Sequence, residues 1–432
     1  MKAGNRSGGR ADRKAAMTFI YVTIILDTLG FGITIPVLPT LIRSFSADPA
    51  QGTAIFGLLV TIFGLMQFLF SPLIGVLSDR FGRRPVLILS GFGLGIDYMI
   101  MALAPNLAWF FVGRILSGIT SSSYATAAAY VADVTPVERR AAAFGMVGAM
   151  WGIGFILGPA IGGVVGEFGI RLPFWAAAAC SLASASYGLF VLPESLAPAN
   201  RQSFAWRRAN PVGSLTLLRS HRDLFGLGAV TFVQFLAFQA LPTVFVLYSH
   251  DRYGWTPFDV GLSLTLVGAL NIAVQGGLVK RFIARFGERA ALLTALLFGT
   301  AALVIWGLAP NGLVFLLTAF VFAPIGFAAP ALQSLMTRRV RPSEQGQLQG
   351  ANASIAGLTG AVGPIFFGLL YAWAIGFRGQ FDILGLPFFV AAVLMLGSAA
   401  LALRVTRAAA AEAASPAAAT GGDGSSTTTR DP

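Results

Sequence analysis

The chain has 432 residues, 56% of them hydrophobic, and a mean hydropathy of +0.74. Only 11% are charged, against about 25% in a soluble domain, so a water-soluble enzyme or nucleic-acid-binding module is a poor fit despite the net charge of +12. At about 20 apolar residues per crossing, the composition suffices for roughly twelve transmembrane helices.

Taken in chain order, apolar windows predict spans at 17–42, 53–78, 85–104, 107–131, 141–166 and 172–192, then at 224–249, 259–279, 290–309, 312–336, 346–373 and 384–404. The basic start, residues 1–16, resembles a signal-peptide n-region. The apolar run after it is too long for an h-region, so it reads as a cytoplasmic N-terminus leading into a retained first span. The expected fold is an all-α polytopic membrane protein with twelve helices in two pseudo-symmetric six-helix bundles, 17–192 and 224–405. An arginine-bearing cytoplasmic linker (193–223) joins them, and the Ala/Ser/Thr/Gly-rich tail (406–432) reads as disordered. Cys180 is the sole cysteine, and His221 and His250 fall in polar loops, so neither a disulfide nor a metal cage is expected.

Lys and Arg orient the chain. Of 30, the loops and ends on the N-terminal side hold 25, the opposite loops hold four (Arg43, Arg171, Arg252 and Arg378), and Arg114 lies within a span. By the positive-inside rule both termini are cytoplasmic, and the +12 charge needs no nucleic acid to explain it. The halves also repeat. FGLLVTIFG (56–64) parallels VGLSLTLVG (260–268), FGRR (81–84) parallels FGER (286–289), and GP at 158–159 parallels GP at 363–364, at an offset of 204–206 residues.

GVLSDRFGRR (75–84) follows the second span. Gly75 would permit close helix approach, Gly82 turns the loop, and Asp79 can cap the next helix or pair with Arg80, Arg83 or a residue of the other half. In GIGFILGPAIGG (152–163), Gly154, Gly158 and Gly162 recur every four residues on one face, and Pro159 bends the helix. Three charges lie deep in the bilayer, where each is costly unless paired or hydrated. Asp97 and Arg114 sit at matching depth on adjacent spans, so they form a plausible ion pair, either a strut or a working group. Asp27 lies near the midplane with no cation at its depth, which suits a group that loads and releases protons. In the second half the mid-bilayer polar groups are Gln234, Gln239, Asn271 and Gln275. They can orient a ligand or bond between helices, but cannot carry a proton. Phe31, Tyr98, Trp151, Phe155 and Phe235 could line an apolar pocket.

The loop 75–84 and the paired six-span repeats resemble the major facilitator superfamily, and the glycine run resembles the fifth-helix motif of its proton-coupled antiporters. The stretch from Asp27 to Pro39, SDRFGRRPVL (78–87), DY (97–98), GRILSGIT (113–120), PALQSLM (330–336) and QGQLQG (345–350) are similar to the tetracycline-resistance efflux pumps. The resemblance implies that Asp27, Asp97 and Arg114 are membrane-embedded coupling charges. It further implies a gating loop at Gly75, Asp79, Arg80, Gly82 and Arg83, and polar pore positions at Gln239 and Gln275. Two departures stand out: Asn271 where those pumps carry a histidine, and Gly299 where they carry an aspartate. Tetracycline–metal recognition is therefore not carried over, and coupling would run through the N-terminal half.

The expected function is proton-coupled efflux of a drug-like amphipathic small molecule, with uptake of a metabolite by symport or facilitated diffusion as the alternative. The expected setting is a bacterial-type inner membrane. The expected partners are protons, the lipid bilayer and a small-molecule substrate, with no nucleic acid, cofactor or metal, and the chain would function as a monomer. No nucleophile elbow, phosphate loop or His/Asp/Glu cluster suggests an enzyme.

Overall fold

The computed structural model describes residues 8–136, 139–204, 210–211, 213–220, 222–341, 344–377 and 383–414. Arg207, Arg208, His221, Arg378 and the tail from 415 onward lie outside the described residues. In a bilayer core every backbone polar group must be satisfied within its own segment, so an apolar chain of this length becomes helix after helix. The described residues do so.

The first span is α1 (Gly8–Thr34) followed by α2 (Leu38–Arg43). Pro36 cannot donate an N–H and interrupts the ladder, leaving tight turns in which Ile35 N–H donates to the Gly32 carbonyl and Val37 N–H to that of Thr34. α3 (Pro49–Phe81) and α4 (Arg83–Leu103) are the second and third spans. The fourth is α5 (Leu107–Thr120) and α6 (Tyr124–Val134), separated by a 3₁₀ turn at Ser121–Ser123. α7 (Arg140–Phe168) and α8 (Leu172–Val191) complete the first half, and a short α9 (Thr216–Ser220) lies in the connection.

The second half opens with α10 (Arg222–Phe238) and α11 (Ala240–Tyr253), which break at Gln239. α12 (Pro257–Ala273) runs through a π-helical turn at Val274–Leu278 into α13 (Val279–Leu308), which holds the ninth span beyond a kink at Gly287 (φ +80°). The tenth span is α14 (Gly312–Phe322), a 3₁₀ turn at Ala323–Phe327 and α15 (Ala328–Thr337). α16 (Gln345–Gly376) and α17 (Leu386–Ala414) are the last two.

Among the described residues, ten helical stretches are long and apolar enough to cross a membrane. One of them, Pro257–Leu308, contains two spans folded about Gly287, and the fourth span is divided into α5 and α6 about Ser121–Ser123. Twelve crossings result. The turn at Ser121–Ser123 and that at Ala323–Phe327 stand at corresponding places in the two halves, so the repeat seen in sequence extends to the helix breaks. Outward faces carry large apolar side chains such as Phe190, Leu89 and Val393, as a lipid-facing surface requires.

The halves meet through two long pairs, α3 with α16 and α7 with α12. Glycine allows those backbones to touch from the end away from the termini as far as Gly64 and Gly360, midway along α3. A Cβ placed on Gly57 would stand 3.0 Å from Cα of Gly368, and one on Gly163 would stand 3.2 Å from Cα of Gly261. Nearer the termini, Gly75 on α3, Gly145 and Gly148 on α7, Gly276 and Gly277 in the π turn and Gly346 on α16 have no neighbour within 4 Å of such a position. The two halves are therefore sealed on the side away from the termini and splayed on the side of the termini.

Candidate functional site

Between the halves lies a cavity of about 370 Å³ whose wall is mostly apolar and aromatic, including Phe31, Phe63, Phe245 and Trp306. Thr34, Gln67, Gln239 and Arg114 supply its polar side chains, and Arg114 is its one formally charged lining residue. Gln239 reaches the wall from the junction of α10 and α11, and Gln67 from the middle of α3. A large apolar cavity with a few convergent polar groups is the usual form of a small-molecule site.

A second cavity of about 300 Å³ adjoins it within the first half, with Phe31, Phe63 and Gln67 as shared wall. Asp27 opens onto this chamber from α1, beside Thr23, Thr28, Tyr98 and Trp151. Its Oδ1 is buried and makes no hydrogen bond. An unmet buried carboxylate oxygen is costly.

Asp97 and Arg114 do come together, as their matching depth predicted. Nη2 of Arg114 stands 3.7 Å from Oδ2 of Asp97, and the two side chains are 7% and 0% exposed. At that distance the pair is electrostatic rather than hydrogen-bonded; Arg114 Nη2 instead lies 2.9 Å from the Met101 sulfur, and its guanidinium covers the Phe63 ring at 5.5 Å. Arg114 thus faces the central cavity and Asp97 together.

On the sealed side an ion pair joins the halves. Arg43 Nη1 donates to both carboxylate oxygens of Asp251 at 2.9 Å, and the Tyr371 hydroxyl donates to Oδ2 at 2.9 Å. Glu167 of α7 accepts the Phe258 N–H of α12 at 3.1 Å, a second polar bridge across the same seam.

A model of the major facilitator superfamily matches residues 20–364. The chain is 36% identical over 357 residues to the class C tetracycline resistance protein of Escherichia coli, covering 83% of this chain and 90% of that one. It is 30% identical over 364 residues to multidrug resistance protein 2 of Bacillus subtilis, covering 83% and 90%. Among solved structures, a human organic anion transporter matches with a TM-score of 0.67 at 25% identity, covering 90% of this chain and 99% of that one. The chain belongs to the major facilitator superfamily. Like those neighbours it is a transporter rather than an enzyme, and its twelve-helix, two-bundle fold is the superfamily's.

The superfamily loop at 75–84 is organised by charges from within and outside it. Asp79 pairs with Arg83 at 2.6 Å, and Arg83 also reaches Asp133 at 3.3 Å and the Ser78 hydroxyl at 2.6 Å. Asp79 does not cap α4. Glu194 does, accepting the backbone N–H of Arg83 at 2.9 Å and of Arg84 at 3.3 Å across Gly82, whose φ of +106° suits glycine. Arg80 lies over Phe81 at 5.1 Å. The close helix approach expected at Gly75 is absent in this conformation, because the halves are splayed there. The second half repeats the pair with its signs exchanged: Glu288, next to Gly287, receives Arg338 at 2.5 Å where the first half has Arg83 and Asp133.

The glycine run packs inward against α1. A Cβ on Gly154 would stand 2.8 Å from Cβ of Thr28, one on Gly158 would stand 2.6 Å from Cα of Gly32, and one on Gly162 would collide with the Ile33 carbonyl. The helix that carries Asp27 therefore rests on this glycine face, while Gly163 and the Pro159 carbonyl meet α12 of the other half.

Of the four polar residues proposed from sequence in the second half, Gln239 alone lines the central cavity among the described residues. Gln234 is buried with Oε1 unbonded, and Gln275 donates to Asn271 at the π turn, away from both cavities. Four apart on one face was a sound reading of that pair; which way the face points required the packed structure. Gly299 packs on Ile325 and Met395. Phe235 lines neither cavity, whereas Phe31 and Phe155 line the central one and Phe31, Tyr98 and Trp151 line the Asp27 chamber. Sequence reading missed Gln67, although an amide inside the apolar run LMQF was a visible signal, and missed Glu194, Arg43 and Asp251.

Proposed function

We propose that this protein exports drug-like amphipathic small molecules across a bacterial-type inner membrane in exchange for protons. Two six-helix units, 17–192 and 224–405, rock about the central cavity, with 193–223 as their cytoplasmic connection. Residues 1–16 and 406–432 are cytoplasmic ends. The lysine and arginine distribution supports placing the termini inside, which makes the present conformation inward-facing. The tetracycline- and multidrug-resistance relatives support export of drug-like cargo.

The observation that carries the coupling reading is the Asp27 carboxylate, buried, unbonded at Oδ1 and facing a chamber that shares a wall with the substrate cavity. Protonation there removes a charge from the interior and lets the empty carrier turn; substrate arriving from the cytoplasm displaces the proton. Asp97 and Arg114 hold the neighbouring field, and the loop of Asp79, Arg80 and Arg83 engages when the cytoplasmic side closes. No cofactor is required, since the proton gradient supplies the work.

The test is drug-induced proton movement in proteoliposomes for wild type and Asp27→Asn. Loss of coupled flux in the mutant is expected, with tetracycline included among the cargoes. Unchanged coupled flux would overturn the assignment of Asp27.

A further inference from the structure

The seam between α7 and α12 keeps a strict antiparallel count. Gly163 meets Gly261, Ile156 meets Gly268 and Gly152 meets Ile272, so steps of seven and then four residues are the same on both helices. The seam of α3 with α16 takes the same steps: Gly57 meets Gly368, Gly64 the Gly360–Ala361 peptide and Phe68 meets Gly357. Beyond Gly152 and Ile272 the first pair of helices parts. Four residues further, about 6 Å along each axis, the count pairs Gly148 with Gly276. A Cβ on either glycine would have no neighbour within 4 Å.

Gly276 lies in the π turn Val274–Leu278, and the sequence repeat accounts for that turn. FGLLVTIFG and VGLSLTLVG are offset by 204 residues and FGRR and FGER by 205, so the second half holds one residue more between them. A π turn bonds i to i+5 and takes up that residue. Val274 and Val279, five apart, are thereby both buried, where an α-helix would set them about 140° apart. Val274 packs on Gly326 of its own half. Ile272 and Gly276, each two residues from Val274, fall on the opposite face, and the contact of Ile272 with Gly152 marks that face as the one turned to α7.

We propose that Gly148 and Gly276 form the contact that seals α7 against α12 when the splayed side closes, the π turn offering backbone free of side chains for α7 to pack on. The proposal deepens the alternating-access reading, on which it rests, by naming residues that meet in the conformation opposite to this one. On the other seam, seven residues past Phe68 and Gly357, the same count carries Gly75 to Gly350.

Full-length protein carrying Cys180→Ala, reconstituted in liposomes, would be oxidised with copper phenanthroline in the pair Gly148→Cys with Gly276→Cys. A disulfide needs Cα atoms within about 7 Å, so its rate reports closure at this level. It should form about tenfold faster than in Gly148→Cys with Gly277→Cys, whose second cysteine is turned by about 100°. Equal rates, or no bridge in either pair, would overturn the contact. Gly148→Leu and Gly276→Leu should each lower proton-driven flux of ethidium or tetracycline about tenfold, with the thermal midpoint in detergent unchanged because this conformation has room for the side chain. Gly397→Leu on α17, likewise without a neighbour within 4 Å but outside this seam, should leave both readouts unchanged. Flux within about twofold of wild type in both seam variants would also overturn the contact.

If a leucine variant fails to fold, the disulfide rates decide. Wild type that moves neither probe, with the Gly148–Gly276 bridge still the faster, overturns the efflux reading and leaves the contact standing. Wild-type flux with equal bridge rates does the reverse.

Discussion

Neutralising the Arg43–Asp251 bridge should release the sealed side of the molecule. The bridge exists only while the halves are closed there, so its energy biases one conformation against the other. At 2.9 Å and an effective dielectric of about 20, the gross attraction is about 6 kcal/mol. The side chains are 14% and 8% exposed, so much of that is spent on desolvation, leaving about 1–3 kcal/mol after the Tyr371 bond is included. Asp251→Asn should therefore move the equilibrium towards the form open on this side by roughly 5- to 150-fold.

The assay is a distance distribution between spin labels at exposed positions of the two halves on this side, Ala47 and Pro310, in a Cys180→Ala background that removes the only native thiol. The long-distance population should grow in Asp251→Asn and in Arg43→Gln. The exchange Arg43→Asp with Asp251→Arg should restore much of the short-distance population. A change smaller than about twofold in both single variants would refute the reasoning, since the bridge would then contribute nothing to closure.

Gly158→Val should drive α1 and α7 apart, because backbone lies 2.6 Å from the position of the new side chain; overpacking of this kind costs about 1–3 kcal/mol or more, read as lowered thermal stability of the detergent-solubilised protein. Gly145→Ala, where no neighbour lies within 4 Å, should leave the same measurement unchanged in this conformation. Glu194→Gln removes the charged cap of α4 and should cost about 0.5–2 kcal/mol, with faster amide exchange at Arg83 and Arg84 as the local readout.

The relation between sequence and site is clearest in the charged residues. Asp97 and Arg114 were recognisable as a pair because depth along a helix is counted in residues, and both counts end at the same level. Asp27 stood out because no cation shared its depth. Asn271 and Gln275 show where such counting ends: their common face is certain from a four-residue spacing, yet it turns towards the π turn and away from the cavity. Gln67 is the converse, an ordinary amide in an apolar run that packing turns into shared wall between two cavities.

The bilayer explains this division. It imposes one coordinate, depth, and hydropathy, charge counts and repeat spacing read that coordinate directly. Twelve crossings, two homologous halves and membership in this transporter class were therefore contained in the linear chain. Rotation of each helix about its axis, and the tilt of one half against the other, are fixed by side-chain packing between segments far apart in sequence. That packing alone made Glu194 the cap of α4, joined Arg43 to Asp251 across 208 residues, laid the glycine run against the helix of Asp27, and set the molecule sealed on one side and open on the other.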